Sequence, residues 1–309
     1  MVSSKHRPAQ KIPLLQAILW IVFITVVVSG SSIAGFFYYQ HIRAKRFHDA
    51  RYRIAALVQS TPDKEGLKTA FLAELLDLSI DRPSNLYRMD AKKLVEKLTV
   101  CPVIKYAEVK KIPPGTISVD YSLRKPVAYL GDYTNTAIDI HGVLFPFKPF
   151  FTPKNLPEIF VGLCALEYSD DESASDLGSW GTPLQSPRAL LALEILKFVN
   201  DNCCSETNHL RKIDTTKAYS LSYGQREVVI IMEEWVQFEK EGKLILALSP
   251  RTLRLSTEDY SSGLLNYLAM RDYLKQEEVK RCESLSGQVI KLTPVVIDFR
   301  LPQLAYLTY

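Results

Sequence analysis

Residues 14–39 are almost wholly apolar, interrupted by Gln16 and a Ser/Gly patch at 29–32, and no charged residue or histidine stands between Lys11 and His41. The pattern predicts one helix able to cross a bilayer, whose hydrocarbon core takes ~20 residues at ~1.5 Å each. Tyr38 and Tyr39 close the run, where interfacial aromatics gather. The segments read as a tail at 1–12, a transmembrane helix at 13–39 and a basic juxtamembrane stretch at 40–52. A cleaved signal peptide is the rival reading, because Ser32-Ile33-Ala34 resembles a small-x-small cleavage site. The apolar run before that site exceeds the ~7–15 residues of a signal peptide's hydrophobic region, which favours a retained anchor.

Beyond the span the periodicity switches. Residues 53–60 form a short apolar run with strand character, closed by Thr61-Pro62-Asp63. Leu67, Ala70, Phe71, Ala73, Leu75 and Leu76 give a mostly amphipathic helix. Asp90 is placed as an N-cap before Ala91, Leu94, Val95 and Leu98, whose i, i+3, i+4, i+7 spacing predicts a second helix, ended by Cys101-Pro102. Residues 106–111 and 116–121 alternate apolar with polar around Ile112-Pro113-Pro114-Gly115, which predicts a hairpin with a longer loop. The order over 53–125 is strand, helix, helix, strand, strand. Residues 126–309 read as mainly antiparallel β with flanking helices. Strands are expected at 127–130, 134–140, 218–223, 227–235, 244–248 and 295–301, and helices at 189–200 and 263–275. An irregular Pro-rich connection runs from 146 to 157, and an acidic Ser/Gly-rich surface loop fills 167–188. The fold class is α+β.

Composition is that of a folded chain, 47% hydrophobic and 23% charged, enough for a sizeable core. The net charge of +4 is unevenly spread: of 38 Lys+Arg and 34 Asp+Glu, eight and one fall in residues 1–53. Positive charge therefore flanks the span and meets anionic head groups most simply. The remainder is mildly acidic and offers no basic face of the kind nucleic-acid binding needs. The five cysteines form no C-x-x-C, and the adjacent Cys203-Cys204 fits poorly with ordinary disulfide geometry, so neither a disulfide framework nor a zinc site is read. The five histidines belong to no H-x-H or H-E-x-x-H pattern, and no nucleophile elbow, phosphate-binding loop or dinucleotide fingerprint occurs. Asp139 reads as a hairpin residue, Arg124-Lys125 as a solvated strand end, and Trp180 and Trp235 as packing residues. Asp170, Asp171 and Glu172 lack the alternating spacing of a calcium loop. The expectation is a protein that is not an enzyme, with no catalytic residue, metal ligand, cofactor or small-molecule substrate.

The stretch L-x-x-C-P-V-I-x-x-A-x-V-K-K-I-P-P-G-T-I-x-V, from Leu98 to Val119, is followed by Ser122-Leu123-Arg124-Lys125-Pro126-Val127-Ala128 and by Ala137-Ile138-Asp139-x-x-Gly142-Val143-x-Phe145. Val296-Ile297-Asp298-Phe299-Arg300 stands near the end. In this order the four pieces resemble motifs of the bacterial cell-division protein family FtsQ/DivIB. Leu123 stands where that family usually has Glu, and the first strand lacks its frequent V-x-G. The resemblance implies a POTRA domain at 53–125 and a β-domain at 126–309. It implies a single-pass type II protein of the bacterial inner membrane at the division septum, with a cytoplasmic N-terminus and a periplasmic C-terminal domain. The charge count opposes that orientation: Lys5, Arg7 and Lys11 precede the span, while Arg43, Lys45, Arg46, Arg51 and Arg53 follow it.

The resemblance further implies a divisome scaffold that recruits and links division proteins and helps regulate septal peptidoglycan synthesis. Its partners would be an FtsB–FtsL-like pair, with FtsK-, FtsW- and FtsI-like proteins and the membrane itself. Partner binding would fall on Val296, Ile297, Asp298, Phe299, Arg300 and Leu301 with the tail aromatics Tyr306 and Tyr309. An exposed edge strand there would accept a strand from the partner, and Arg300 would pair with a partner carboxylate. The plainer alternative makes 296–301 an internal strand whose alternate residues fill the core. The alternative function is a membrane-tethered POTRA chaperone for outer-membrane or secreted proteins. Such systems commonly carry several POTRA units or a barrel, and neither is visible in this sequence.

Overall fold

The computed structural model describes residues 14–79, 81, 83–162, 180–240, 242–282, 289–301 and 303–308. The expected tail at 1–12, Tyr309, Cys164 and the 167–179 part of the expected acidic loop, with Asp170, Asp171 and Glu172, lie outside the described residues.

Helix α1 (Leu14–His48) takes in both the expected span and the basic stretch that follows. Its 35 residues make a rod about 52 Å long. Side chains from Ile18 to Tyr39 are exposed, as an apolar helix surrounded by lipid requires. The hydroxyls of Thr25, Ser29, Ser31 and Ser32 donate to carbonyls one turn back at 2.6–3.0 Å. The Ser/Gly patch therefore leaves these hydroxyls satisfied within the helix, as an apolar surrounding demands. A helix of this length and apolarity can cross a membrane once, and a signal sequence meets the same description.

Contacts divide the chain into two compact units. One comprises Met1–Ser60, Lys68–Lys97 and Glu108–Asp120; the other comprises Thr61–Leu67, Leu98–Ala107 and Tyr121–Tyr309. Strands β1 (Ala56–Ser60), β2 (Ile104–Ile112) and β3 (Thr116–Leu123) form a small sheet in the order β1-β3-β2. Helices α2 (Thr69–Leu75) and α3 (Ala91–Val100) stand between β1 and β2 in the chain, which gives the expected strand-helix-helix-strand-strand order. β1 runs parallel to β3, with Ala56 opposite Thr116 and Ser60 opposite Asp120. Asp90 caps α3: its Oδ1 accepts the Lys92 N–H at 3.0 Å. The Gly115 carbonyl accepts the N–H groups of Ala55 and Ala56 at 2.8 and 3.2 Å. A Cβ at Gly115 would run into the Arg53 carbonyl oxygen, so the residue between β2 and β3 must be glycine for the backbones to approach.

The end of α1 is fastened within the first unit. The buried Asn85 side chain donates through Nδ2 to the carbonyls of Arg46 and Asp49 at 3.0 and 3.2 Å. These oxygens lie at the helix end, where carbonyls lack intrahelical partners. The Arg46 guanidinium lies 5.4 Å from the centre of the Tyr87 ring, which meets Tyr52 edge-to-face at 4.8 Å.

The second unit holds a ten-stranded mixed sheet. Its strands are β4 (Ala128–Leu130), β5 (Thr136–Ile138), β6 (Leu144–Pro146), β7 (Glu158–Phe160), β8 (Asn208–Asp214), β9 (Val228–Lys240), β10 (Lys243–Leu255), β11 (Val289–Lys291), β12 (Val295–Asp298) and β13 (Tyr306–Thr308). The order is β13-β12-β10-β9-β8-β7-β4-β5-β6, with β11 also beside β10. Pairs β4/β7, β7/β8, β10/β11 and β10/β12 are parallel, so the expected mainly antiparallel sheet is mixed. Parallel pairing needs long crossovers; α4 (Pro187–Asn202) supplies the one from β7 to β8 and α5 (Tyr260–Cys282) the one from β10 to β11 and β12, while β5, β6 and the Pro-rich connection link β4 to β7. Both helices contribute to the main core, with Leu196 and Val199 from α4 and Leu264 and Tyr267 from α5 among the buried residues.

Several expected boundaries move. The expected strand at 218–223 is absent: Ala218 donates back to Thr215 in a turn, and Tyr223–Gln225 is a short 3-10 helix. Tyr219, Leu221 and Tyr223 alternate along this stretch but are exposed, with Leu221 99% exposed. β8 takes the place in the sheet, with a bulge between Leu210 and Lys212 that blurs its period-2 pattern. β7 lies at the end of the Pro-rich connection, and α5 runs on to Cys282 rather than ending at 275. Arg124 is no solvated strand end. It is largely buried, ion-pairs with Asp139 at 2.9 Å and donates to the Pro102 carbonyl at 2.9 Å, while Lys125 is exposed. Asp139 does sit in a turn: its Oδ1 accepts the N–H groups of His141 and Val143 at 2.9 Å.

Candidate functional site

β12 lies between two strands. It runs parallel to β10, with Arg251 opposite Val295 and Arg254 opposite Asp298, and antiparallel to β13, with Val296 opposite Thr308 and Asp298 opposite Tyr306. Val295, Ile297 and Phe299 are buried in the core, so the expected strand ends at Asp298 and is internal to the sheet. The final strand on that side is β13. An added strand would therefore meet β13, which sequence reasoning missed because three residues carry too short a pattern.

Beside β13 lies a groove of about 570 Å³ lined by Tyr223, Arg226, Leu301, Leu304, Ala305 and Tyr306 among others. Tyr223, Leu301, Leu304 and Tyr306 are 63–75% exposed, a group of large apolar side chains along one sheet edge. Isolated exposed apolar residues are ordinary, but a contiguous patch marks a contact surface. Leu307 and Ala305 also pack against the main core, which holds the strand in place.

Charged groups brace the base of the groove. Arg300 donates from its Nε and Nη2 to both oxygens of Asp298 at 2.7–3.0 Å, and from Nη1 to the Gly224 carbonyl at 3.3 Å. Arg254 pairs with Glu227 at 2.5 Å and with Asp298 at 3.4 Å. Burial pushes the Asp298 carboxyl up, but the hydrogen bonds from Arg300 outweigh it and hold it below its ordinary value. The guanidinium expected to await a partner carboxylate is thus engaged within its own chain. Arg226 stacks 4.0 Å from the centre of the Tyr223 ring and donates to the Ser220 carbonyl. Of the residues expected to bind a partner, Leu301 and Tyr306 line the groove with their side chains exposed, and Asp298 and Arg300 form its braced base. Val296 is half-buried, Ile297 and Phe299 are buried, and Tyr309 lies outside the described residues.

A second polar cluster has a buried centre. Arg251, with no exposed surface, ion-pairs with Glu234 at 2.5 Å and Glu278 at 2.7 Å and donates to the Tyr267 hydroxyl at 3.2 Å. The Ser249 hydroxyl donates to Glu278 at 2.5 Å, while Arg271 and Lys275 reach Glu234 at 2.6 and 2.9 Å. Burial alone would raise the Glu234 carboxyl; the cations of Arg271, Arg251 and Lys275 overcome it and hold it below its ordinary value. The cluster ties α5 to β9 and β10, and none of its residues lines the groove beside β13. Burial pushes the thiols of Cys101, Cys203, Cys204 and Cys282 up, Cys203 to about 11, so at neutral pH they stay protonated and unreactive.

The two depressed carboxylates set an acid limit. Each stabilises the fold fully above its unfolded value, about 4, and that contribution is lost as pH falls through the lower folded value. Melting temperature is therefore expected to fall as pH drops below about 4. The double variant Glu234→Gln, Asp298→Asn should show a flatter profile across that window; an equally steep one would assign the acid loss to other groups.

No protein-family model matches the chain, and no curated protein sequence matches it.

Proposed function

We propose that this chain is a non-enzymatic scaffold of the FtsQ/DivIB kind. It would be anchored in the bacterial inner membrane by α1, with both units outside the cytoplasm, and would link division proteins by strand addition. The observation that carries this reading is the C-terminal strand β13. It ends the large sheet beside an apolar groove while its own Ala305 and Leu307 flank anchor it to the core. Such an edge presents backbone donors and acceptors to an incoming strand, and neighbouring apolar side chains give it specificity. The motif order and the strand-helix-helix-strand-strand unit, read as a POTRA domain, support the same assignment. The expected partner is the FtsB–FtsL-like pair, docking along β13 with Tyr306 and Leu304 as apolar anchors. The POTRA unit is assigned to the remaining division proteins.

A photo-crosslinking residue at position 306 in the full chain, expressed in dividing cells, tests this. The expected products join the chain to small single-pass division proteins, and a probe at the exposed Tyr106 gives none of them. Crosslinks to unfolded outer-membrane clients would turn the reading towards the tethered chaperone. A reporter active only outside the cytoplasm, fused after Tyr309, should give signal; a silent one would place both units inside and remove the division reading.

A further inference from the structure

We infer that the first unit carries a binding site for the phosphate head group of an anionic phospholipid, in a cleft at the end of α1. This rests on the reading of α1 as an anchor. The cleft, about 780 Å³, is lined by Phe47 and His48 from the helix end, by Arg53, by Arg88 from the 81–90 loop, and by Lys93 from the first turn of α3. Arg53, Arg88 and Lys93 are exposed, and none has an ion-pair partner among the described residues.

The acids of the cleft are mostly engaged. Both oxygens of Asp49 take the Arg51 guanidinium at 2.8–3.2 Å. Asp90 accepts the Lys92 N–H as the cap of α3. Lys97, which also lines the cleft, is neutralised by Asp77. Three cations therefore share the cleft with Asp81 and Asp90, the two lining carboxylates with no cation partner among the described residues. An unpaired cluster of cations around a concave site is suited to a phosphate, which accepts several charge-assisted hydrogen bonds at once.

The position of the cleft names the source of that phosphate. Asn85 and Tyr87, on the loop that supplies Arg88, grip the last turns of α1, so the cleft cannot swing freely about the helix. From Tyr39, at the expected edge of the hydrocarbon, to Phe47 the helix rises about 12 Å. The head-group layer occupies about 5–8 Å of that distance, and long Arg and Lys side chains span the rest. Arg43, Lys45 and Arg46 on the intervening turns extend the same positive surface towards the bilayer. A lipid of the leaflet through which α1 emerges is the anion held nearest by the anchor itself.

The test uses the full chain. It is first inserted into nanodiscs of neutral phosphatidylcholine; failure to insert would overturn the anchor and this inference together. The delipidated chain in neutral detergent is then titrated with phosphatidylglycerol and followed by native mass spectrometry. One retained phosphatidylglycerol is expected, and the triple variant Arg53→Gln, Arg88→Gln, Lys93→Gln should weaken it about a hundredfold, roughly fivefold per cation. The Lys-for-Arg variant Arg53→Lys, Arg88→Lys should recover most of the binding. Insertion with equal retention of phosphatidylglycerol and phosphatidylcholine, or binding unchanged in the triple variant, would overturn the site and leave the anchor standing. Displacement by inorganic phosphate at matched concentration would overturn the membrane as its source.

Discussion

Arg251→Met is expected to destabilise the second unit by about 3–5 kcal/mol, the cost of stranding buried carboxylates without their cation. Glu234 and Glu278 would both lose the guanidinium, and Tyr267 its hydrogen-bond partner, at a site with no access to water. Arg271 and Lys275 still reach Glu234, so most of the loss falls on Glu278. For a unit of this size the change lowers the melting temperature by roughly 6–20 °C. Thermal unfolding followed by far-ultraviolet circular dichroism measures it. The triple variant Arg251→Met, Glu234→Met, Glu278→Leu should regain much of the loss, because apolar side chains of similar volume replace a buried ion cluster at little net cost. A melting point unmoved by Arg251→Met would mean that the buried cations and carboxylates contribute nothing to holding α5 on the sheet.

Deleting residues 303–309 is expected to abolish partner capture while the chain still folds. The deletion removes β13 and exposes the outer edge of β12, together with the core surface that Ala305 and Leu307 cover. The lost burial, chiefly the half-buried Leu307, costs about 1–2 kcal/mol, a fall of roughly 2–8 °C in melting temperature. Capture of the FtsB–FtsL-like pair by the full chain in detergent, compared with the deletion, reads the effect. Tyr306→Glu separates recognition from stability. Its side chain is 75% exposed, so the fold should hold while an interface aromatic is lost, at about 30-fold or more in affinity. Capture undiminished by either change would remove β13 as the docking edge.

Much of the local structure was legible in the sequence. The apolar run at 14–39, the capped repeat from Asp90 to Leu98 and the Pro-Pro-Gly turn each encode their element within a few residues. The buried cluster was half legible too. Alternation along β9 places Glu234 on the face of Ile230 and Met232, but Ser249 and Arg251 lie beyond the expected strand end at 248, and the buried Pro250 interrupts the alternation of β10. A charged residue on an apolar face signals a buried partner. Glu278 escaped because the expected helix stopped at 275, one turn short of it. The pairing of Arg124 with Asp139, fifteen residues apart, escaped because nothing local to either residue shows that the two come together.

The sequence by itself determined the anchor-like helix, the positive charge beside it, the order of elements in the first unit and the apolar faces of the long strands. These follow from periodicity and from charge, which act over one to four residues. Only the tertiary structure decided that the sheet is mixed, that β12 is interior and β13 its edge, and that Arg300 is already paired. It also decided that the 219–223 alternation is exposed surface. Strand order and edges depend on which distant backbones pair, and a hydrogen bond between β10 and β12 or between β12 and β13 leaves no trace in the local pattern of either strand.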